Sequence, residues 1–214
     1  MRRPALALLA LGLWGCGTTT SPGGKVAAAD TTSDTSTSTG VCKSLPAVAG
    51  TVHAWPGKFS AGGKSYTKDA CPNGRKELQG SWRQVDSQTE DPATPFSDGT
   101  KEVITFDGNT FTDHLAGPDN GKLTEQTSSG WYWCGDPSEL SSGHNVVVLE
   151  KASPEGAFGN SSGDIFSAEW LTQGPNQMAY GLFSGFEGKS NGSYFYCRIG
   201  STVNGHCCND PFAK

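Results

Sequence analysis

The residue types that carry chemistry are all present in this chain, but few stand at spacings that select a reaction. Four histidines, His53, His114, His144 and His206, are scattered along 214 residues. His206-Cys207-Cys208-Asn209-Asp210 gathers metal-ligand types in one stretch. The chain lacks C-x-x-C and H-E-x-x-H, the spacings that bring two ligands to one ion. No metal and no cofactor is therefore expected. Ser142-Gly143-His144 and Asp113-His114 supply a nucleophile, bases and an acid. Neither reads as the strained elbow or preformed oxyanion site that such chemistry needs, and Asp113-His114 reads as part of a half-exposed strand. Glycoside cleavage needs two opposed carboxylates. Glu125, Asp136, Glu150 and Glu169 are available, and spacing selects no pair. Glu169 beside Trp170 has the composition of a sugar subsite, but an alternating strand sends the two to opposite faces. The Gly-Gly-Lys strings at 23–25 and 62–64 follow no clear strand, so no phosphate loop is expected. The expectation is a non-enzymatic protein. A hydrolase acting on an envelope polymer or glycan is an alternative.

Cysteine is the more informative residue. Cys16 stands apart at the end of an apolar run, which leaves Cys42, Cys71, Cys134, Cys197, Cys207 and Cys208. Six cysteines in an exported chain suggest three disulfides, for which about 15 pairings exist. The adjacent Cys207 and Cys208 are expected to bond outward to two different partners, since a bond between neighbours closes a strained ring. Cys42 and Cys71 precede the regular strands and the adjacent pair follows them. Both flanks are poor in apolar residues, so crosslinks to the central body would hold them. Cys134 and Cys197, on strand-like segments, either receive those links or pair with each other.

The N-terminus gives the compartment. Met1-Arg2-Arg3 is positive, and residues 4–14 form an apolar run of eleven, well short of the roughly 20 residues that cross a bilayer. That is the form of an export leader. Its exit, Leu13-Trp14-Gly15-Cys16, resembles the signal of bacterial lipoproteins. The resemblance implies cleavage before Cys16, diacylglycerol on its thiol and palmitate-type acylation of its new amino group. Two or three chains anchor a protein stably, where one is marginal. Gly17 follows Cys16 where Asp would retain a lipoprotein at the inner membrane, so the outer membrane is expected. Residues 17–40 hold 12 Ser or Thr among 24 and no aromatic. They cannot bury enough apolar surface to offset ordering, and read as a flexible tether.

Composition narrows the remaining classes. A mean hydropathy of -0.43 excludes a polytopic membrane protein. Loss of residues 1–15 takes Arg2 and Arg3 away, leaving 14 basic against 21 acidic residues and a net charge of -7. That acidity argues against nucleic acid as a partner.

From Leu78 onward the pattern is one of short, often alternating strands broken by turns. Strands are expected at 78–87, 102–106, 110–115, 122–127, 131–134, 145–149, 165–172, 177–186 and 193–199. Asp107-Gly108 and Pro118-Asp119-Asn120-Gly121 mark hairpins. No segment carries a helical apolar stripe, and residues 138–140 make a helical turn at most. Sequential hairpins predict an all-β antiparallel up-and-down barrel of about eight strands, with a β-sandwich as the alternative. The core is expected from Trp82, Phe106, Phe111, Trp131, Trp133, Phe166, Trp170, Phe183 and Phe195. The organisation reads as a leader (1–15), a lipid-anchored tether (16–41), a disulfide-linked irregular arm (42–77), the barrel (78–200) and a cysteine-bearing tail (201–214).

Gly80-Ser81-Trp82 in the first strand is similar to the Gly-x-Trp signature of lipocalins. The resemblance covers residues 78–200 and implies that Trp82 closes one end of the barrel. It also implies that Arg198, in the last strand, lies across the Trp82 ring. A guanidinium there would gain cation–π attraction while its donors reach carbonyl groups. Gly80, Trp82 and Arg198 are thus the expected closure residues. The middle motif Thr-Asp-Tyr and the C-terminal helix of lipocalins are absent. A barrel of this size either holds one small ligand or is filled by side chains. The expected function is binding, inside or at the rim, of a small apolar or amphipathic ligand or of an envelope protein. Trp131, Trp133, Tyr180, Phe183 and Tyr194 are candidate contacts. A solid-cored structural or inhibitor-type lipoprotein is the alternative.

Overall fold

A computed structural model of the chain describes residues 41–54, 59–61, 64–66, 71, 74–134, 145–183 and 190–213. The expected leader, Cys16 and the tether through residue 40 lie outside the described residues. So do Asp136, the helical turn expected at 138–140, and Ser142-Gly143-His144.

A short hairpin, β1 (Phe59–Ala61) with β2 (Lys64–Tyr66), precedes the main body. The body comprises β3 (Gly80–Val85), β4 (Lys101–Asp107), β5 (Thr110–Asp119), β6 (Lys122–Cys134), β7 (Asn145–Ser153), β8 (Ile165–Thr172), β9 (Gln177–Phe183) and β10 (Ser190–Arg198). Each strand pairs antiparallel with the next, and β10 pairs back onto β3, which closes an eight-stranded barrel. The alternative of two packed sheets is thereby set aside. Closure leaves no edge to pair with another chain. The strands expected separately at 122–127 and 131–134 are one strand of 13 residues.

Side-chain alternation divides the barrel into an inside and an outside. Trp82, Ile104, Phe106, Phe111, Tyr132, Val147, Leu149, Ala168, Trp170, Met178 and Tyr196 form the buried interior. A bulge in β7 breaks the alternation: Gly130 of β6 faces Leu149 while Ser129 faces Lys151, so Glu150 is the extra residue. Leu149 and Ala152 are consequently both buried, and Glu150 is exposed. The expectation that Trp131 joins the interior is corrected, because Tyr132 takes the inward position and Trp131 alternates to the half-buried outer side. Phe195 is likewise outside, next to the inward Tyr196.

One end of the barrel is closed. The residues just before β3 turn across it and insert Leu78, which has no exposed surface. The Tyr132 hydroxyl donates to the Gly108 carbonyl at 2.7 Å and accepts from the Arg75 amide at 3.0 Å and the Gln79 side chain at 3.1 Å. The Arg75 guanidinium donates to the Trp170 carbonyl at 2.8 Å. Phe106 meets Tyr132 and Trp170 edge-on, with ring centroids 5.2 Å away in both cases. Burying one such ring contributes about 2–3 kcal/mol. Gly108, at the first position of the β4–β5 turn, has φ 58°. A Cβ there would collide with the Thr51 carbonyl.

Trp82 is fully buried and its indole N–H donates to the Leu78 carbonyl at 2.6 Å. Arg198 pairs with Trp82 across the β10–β3 junction, and its guanidinium carbon sits 4.2 Å from the Trp82 ring centroid. The same guanidinium donates to the carbonyls of Gln79 (2.5 Å), Pro175 (2.7 Å) and Glu77 (2.9 Å). Gly80 leaves room for this, since a Cβ there would stand 2.9 Å from an Arg198 nitrogen.

Three disulfides staple the flanks. They are Cys42–Cys207, Cys71–Cys134 and Cys197–Cys208, with Cα–Cα distances of 5.2, 5.4 and 6.0 Å. The adjacent cysteines thus bond to two different partners, and Cys134 and Cys197 each receive a flank. After β10 the chain forms a small hairpin, β11 (Thr202–Val203) and β12 (His206–Cys207). Val203, Cys208 and Phe212 then cover a second apolar cluster on the barrel's outer wall, with Val85, Val103, Cys197 and Ile199. The arm at 50–53 is held to the β4–β5 turn, where Asp107 accepts from the amides of Gly50 and Thr51, and Asn109 bonds His53 in both directions.

Candidate functional site

In an up-and-down barrel alternate connections share an end. The Leu78 segment shares its end with the β4–β5 turn. The connections β3–β4, β5–β6 and β7–β8 gather at the other. A cavity of about 570 Å³ occupies the barrel interior and reaches this second end, where Thr100, Phe158, Gly159, Asn160 and Asp164 line it. That volume lies within the range of small-molecule pockets.

The walls combine apolar bulk with a polar set of which the sequence singled out only Asp113, and that beside His114 rather than Glu102. Ile104, Phe111, Leu115, Val147, Leu149, Ile165 and Phe166 supply the apolar wall. Trp170 and Tyr180 stack with centroids 5.4 Å apart, and Tyr194 lies beyond Tyr180 at 5.8 Å. Among them stand Glu102 on β4 and Asp113 on β5. Glu102 pairs with Leu115 and Ile104 with Asp113, so the two carboxyl groups are diagonal neighbours on the inner face. Glu102 is 9% exposed and accepts a hydrogen bond from the Tyr196 hydroxyl at 2.9 Å. Asp113 is half-buried as a residue, because the cavity gives it accessible surface, but its Oδ1 is buried with no hydrogen-bond partner. The indole nitrogen of Trp170, which is 3% exposed, also lacks one.

These surroundings set the protonation of the pair. Loss of solvent raises Glu102 from 4.5 to about 7, although the Tyr196 hydrogen bond pulls the other way. Loss of solvent, then the nearby Glu102 charge, raises Asp113 well above its ordinary range. Burial followed by the two carboxylates pushes the Tyr180 and Tyr196 hydroxyls upward, so both stay neutral donors. No Lys, Arg or His is among the described residues lining the cavity.

The open end carries a partial cover. The β7–β8 connection contains a single 3₁₀ turn, Ala157–Gly159, in which Phe158 has φ 53° and lines the cavity. A bulky side chain in the left-handed region is strained and needs outside support. The amide of Phe158 donates to Asp119 at 3.2 Å, and Gln126 ties the loop by donating to Pro154 at 2.8 Å and accepting from Asn160 at 3.2 Å.

Of the expected contact residues, Tyr180 and Tyr194 line the cavity and Trp131 does not. The side chains of Trp133 and Phe183 lie outside the described residues. Of the carboxylates considered for glycan chemistry, Glu125 and Glu150 are exposed, and Glu169 alternates outward beside the inward Trp170. His114 faces outward, bonds Glu125 at 2.6 Å and stacks on Phe212. His206 bonds Asp91 at 2.8 Å rather than joining a metal set, and no group of three potential metal-binding side chains occurs among the described residues.

The sequence reading also passes over Gly159-Asn160-Ser161-Ser162-Gly163 and residues 188–192, which both have Gly-x-Ser-x-Gly spacing. The first lies in the β7–β8 connection and is followed by a strand, not a helix, so it is no nucleophile elbow. Its Ser162 hydroxyl donates to Glu155. The second lies partly outside the described residues. Glu102, Asp113 and Gln84 had one available signal: each is a polar residue in phase with inward apolar residues of its own strand.

Comparison with protein-family models, with curated proteins and with solved structures gave no match to this chain.

Proposed function

We propose that this chain is a lipocalin-like binding lipoprotein of the bacterial outer membrane. It is anchored through acyl chains on Cys16, extends its barrel from the membrane on the Ser/Thr-rich tether, and takes a small amphipathic ligand into the barrel. The observation that carries this reading is the cavity of about 570 Å³, blocked at the Leu78 end and lined at the other by loop residues. A barrel kept only for its outer surface gains nothing from a hollow centre, because each unfilled void forgoes packing. The fixed geometry needed for binding comes from the hydrogen-bonded barrel wall, while Phe158 and its loop control entry. The membrane, through the acyl chains, and the small ligand are the partners; no nucleic acid, metal or cofactor is required.

Native mass spectrometry of the full-length protein, extracted gently from its own membrane, tests this. The expected result is an acylated chain with three disulfides and a small molecule that leaves when the barrel is unfolded. An unacylated chain would refute the anchor. A chain with no retained ligand that also fails to take up the neutral dye N-phenyl-1-naphthylamine would refute the binding function. The raised Glu102–Asp113 pair also suits a second reading, acid–base catalysis on an enclosed substrate. Recovery of the extracted ligand at unchanged mass after incubation with fresh protein separates binding from turnover.

A further inference from the structure

We propose that the cavity selects an organic cation: an amphipathic ammonium compound whose charged nitrogen sits between Glu102 and Asp113 while its apolar body lies against Phe166, Trp170 and Tyr180. This rests on the binding reading above and adds the charge class of the ligand.

Three observations converge on it. First, among the described residues the interior wall holds two carboxyl groups and no basic side chain, with Asp164 a third acid toward the open end. A buried carboxyl without a counter-charge is costly, so it keeps its proton, pairs with a Lys or Arg, or is replaced by an apolar residue. No Lys or Arg among the described residues joins this pair, so a cation from outside supplies the counter-charge and favours its ionised form. Second, Oδ1 of Asp113 has no hydrogen-bond partner, whereas Glu102 accepts only from Tyr196 among its described bonds. An ammonium group has up to three donors to offer, and the carboxyl pair has acceptors to spare. Third, the surrounding aromatic faces suit a cation. Trp170, Tyr180, Tyr194 and Tyr196 lie within successive ring contacts of 5.4 to 6.3 Å. Such faces attract ammonium groups, most strongly where water is excluded. A metal cation fits poorly, because it wants six or more oxygen ligands and no third acidic or histidine side chain joins the pair among the described residues. An anionic amphiphile would bring its charge beside carboxyl groups that already resist ionising.

Proton linkage gives the site a second signature. The groups facing Glu102 from the packed strands are Asp113, Tyr180, Tyr194 and Tyr196, and Asp164 lies at the rim. Tyr180 and Tyr196 are neutral near pH 7. A bound cation favours the ionised carboxyl groups, so binding releases protons, and affinity for an amine rises from pH 5 to pH 8.

The test uses full-length oxidised protein and three probes of one shape: 2-phenylethylammonium, 2-phenylethanol and 3-phenylpropionate. Each is titrated calorimetrically and by displacement of N-phenyl-1-naphthylamine. The expected order at pH 7.5 is the ammonium at least tenfold tighter than the alcohol, with the carboxylate weakest. Asp113→Asn and Glu102→Gln should each erase most of the preference for the ammonium over the alcohol, while both variants still melt cooperatively. In the unaltered protein the ammonium affinity should rise at least threefold between pH 5.5 and pH 8 while the alcohol affinity stays flat. If the dye and all three probes bind without charge preference, the cation proposal is overturned and the binding reading stands. If neither dye nor any probe binds, both are overturned. An ammonium preference that survives in both variants, with an unchanged pH profile, also overturns the assignment to these carboxyl groups.

Discussion

Replacing Glu102 by Gln should stabilise the barrel, and only at neutral to alkaline pH. The side chain is buried, and its folded value of about 7 stands above the 4.5 of an unconstrained glutamate. A carboxyl with a raised folded value favours the neutral form in the folded state. The native protein therefore keeps its full stability below pH 4.5 and loses part of it as pH rises through about 7. At about 1.4 kcal/mol per pH unit between the two values, the loss approaches about 3 kcal/mol by pH 8.5. Gln has nearly the same shape, and its carbonyl can still accept the Tyr196 hydroxyl. It carries no charge, so it escapes the loss. Paired thermal melts at pH 4.5 and pH 8.5 in the absence of ligand would read this directly. The variant should melt within about 2 °C of the parent at the lower pH and roughly 6–12 °C above it at the higher, using about 2–4 °C per kcal/mol for a chain of this size. A gap of equal size at both pH values would show that the effect is packing. A parent more stable at pH 8.5 than its variant would show that Glu102 is already paired with a positive charge, and the reasoning would fail.

Other substitutions separate the parts of the structure. Arg198→Ala removes the cation over Trp82 and three donors to carbonyl groups. It should cost about 2–4 kcal/mol and change Trp82 emission, whereas Arg198→Lys should recover less than half of the loss. The paired replacement Cys42→Ser with Cys207→Ser opens a link with a sequence separation of 165, against 11 for Cys197–Cys208. On chain entropy alone the losses are about 5 and about 3 kcal/mol, so urea midpoints should fall in that order. Phe158→Gly relieves a strained φ and gives up a half-buried ring, so net stability should stay within about 1 kcal/mol. Stopped-flow dye release should nevertheless quicken several-fold. Cys16→Ser should move the protein from the membrane to the soluble fraction.

Architecture was written in local features. Asp107-Gly108 and Asn120-Gly121 each turn a hairpin, and short alternating runs gave the strands of the barrel, though not the small hairpins β1–β2 and β11–β12 on its flanks. Gly80, Trp82 and Arg198 lie together because their strands are first and last in a closed meander, which pattern and resemblance together reach. The inward direction was harder to read. Tyr132 lies inward and Trp131 outward, although hydrophobicity favours turning Trp131 inward. The tyrosine wins because its hydroxyl finds the Gly108 carbonyl and the Arg75 amide at the closed end. The β7 bulge at Glu150 changes phase within a strand, which no alternation rule supplies. The carboxyl pair was illegible for a different reason. Glu102 and Asp113 are ordinary polar residues in their own strands, and they become a site only when the register across β4 and β5 puts them diagonally together.

A hollow barrel that takes a ligand is the central claim, and equilibrium binding of N-phenyl-1-naphthylamine to the parent protein and to Leu115→Trp tests it most directly. Leu115 is half-buried and lines the cavity, so a larger ring there intrudes on the ligand space without disturbing the closed end. The account predicts one dye per parent chain and weaker binding in Leu115→Trp, with the melting temperature held within a few degrees. No saturable uptake by the parent, or equal affinity in the narrowed variant, would contradict it.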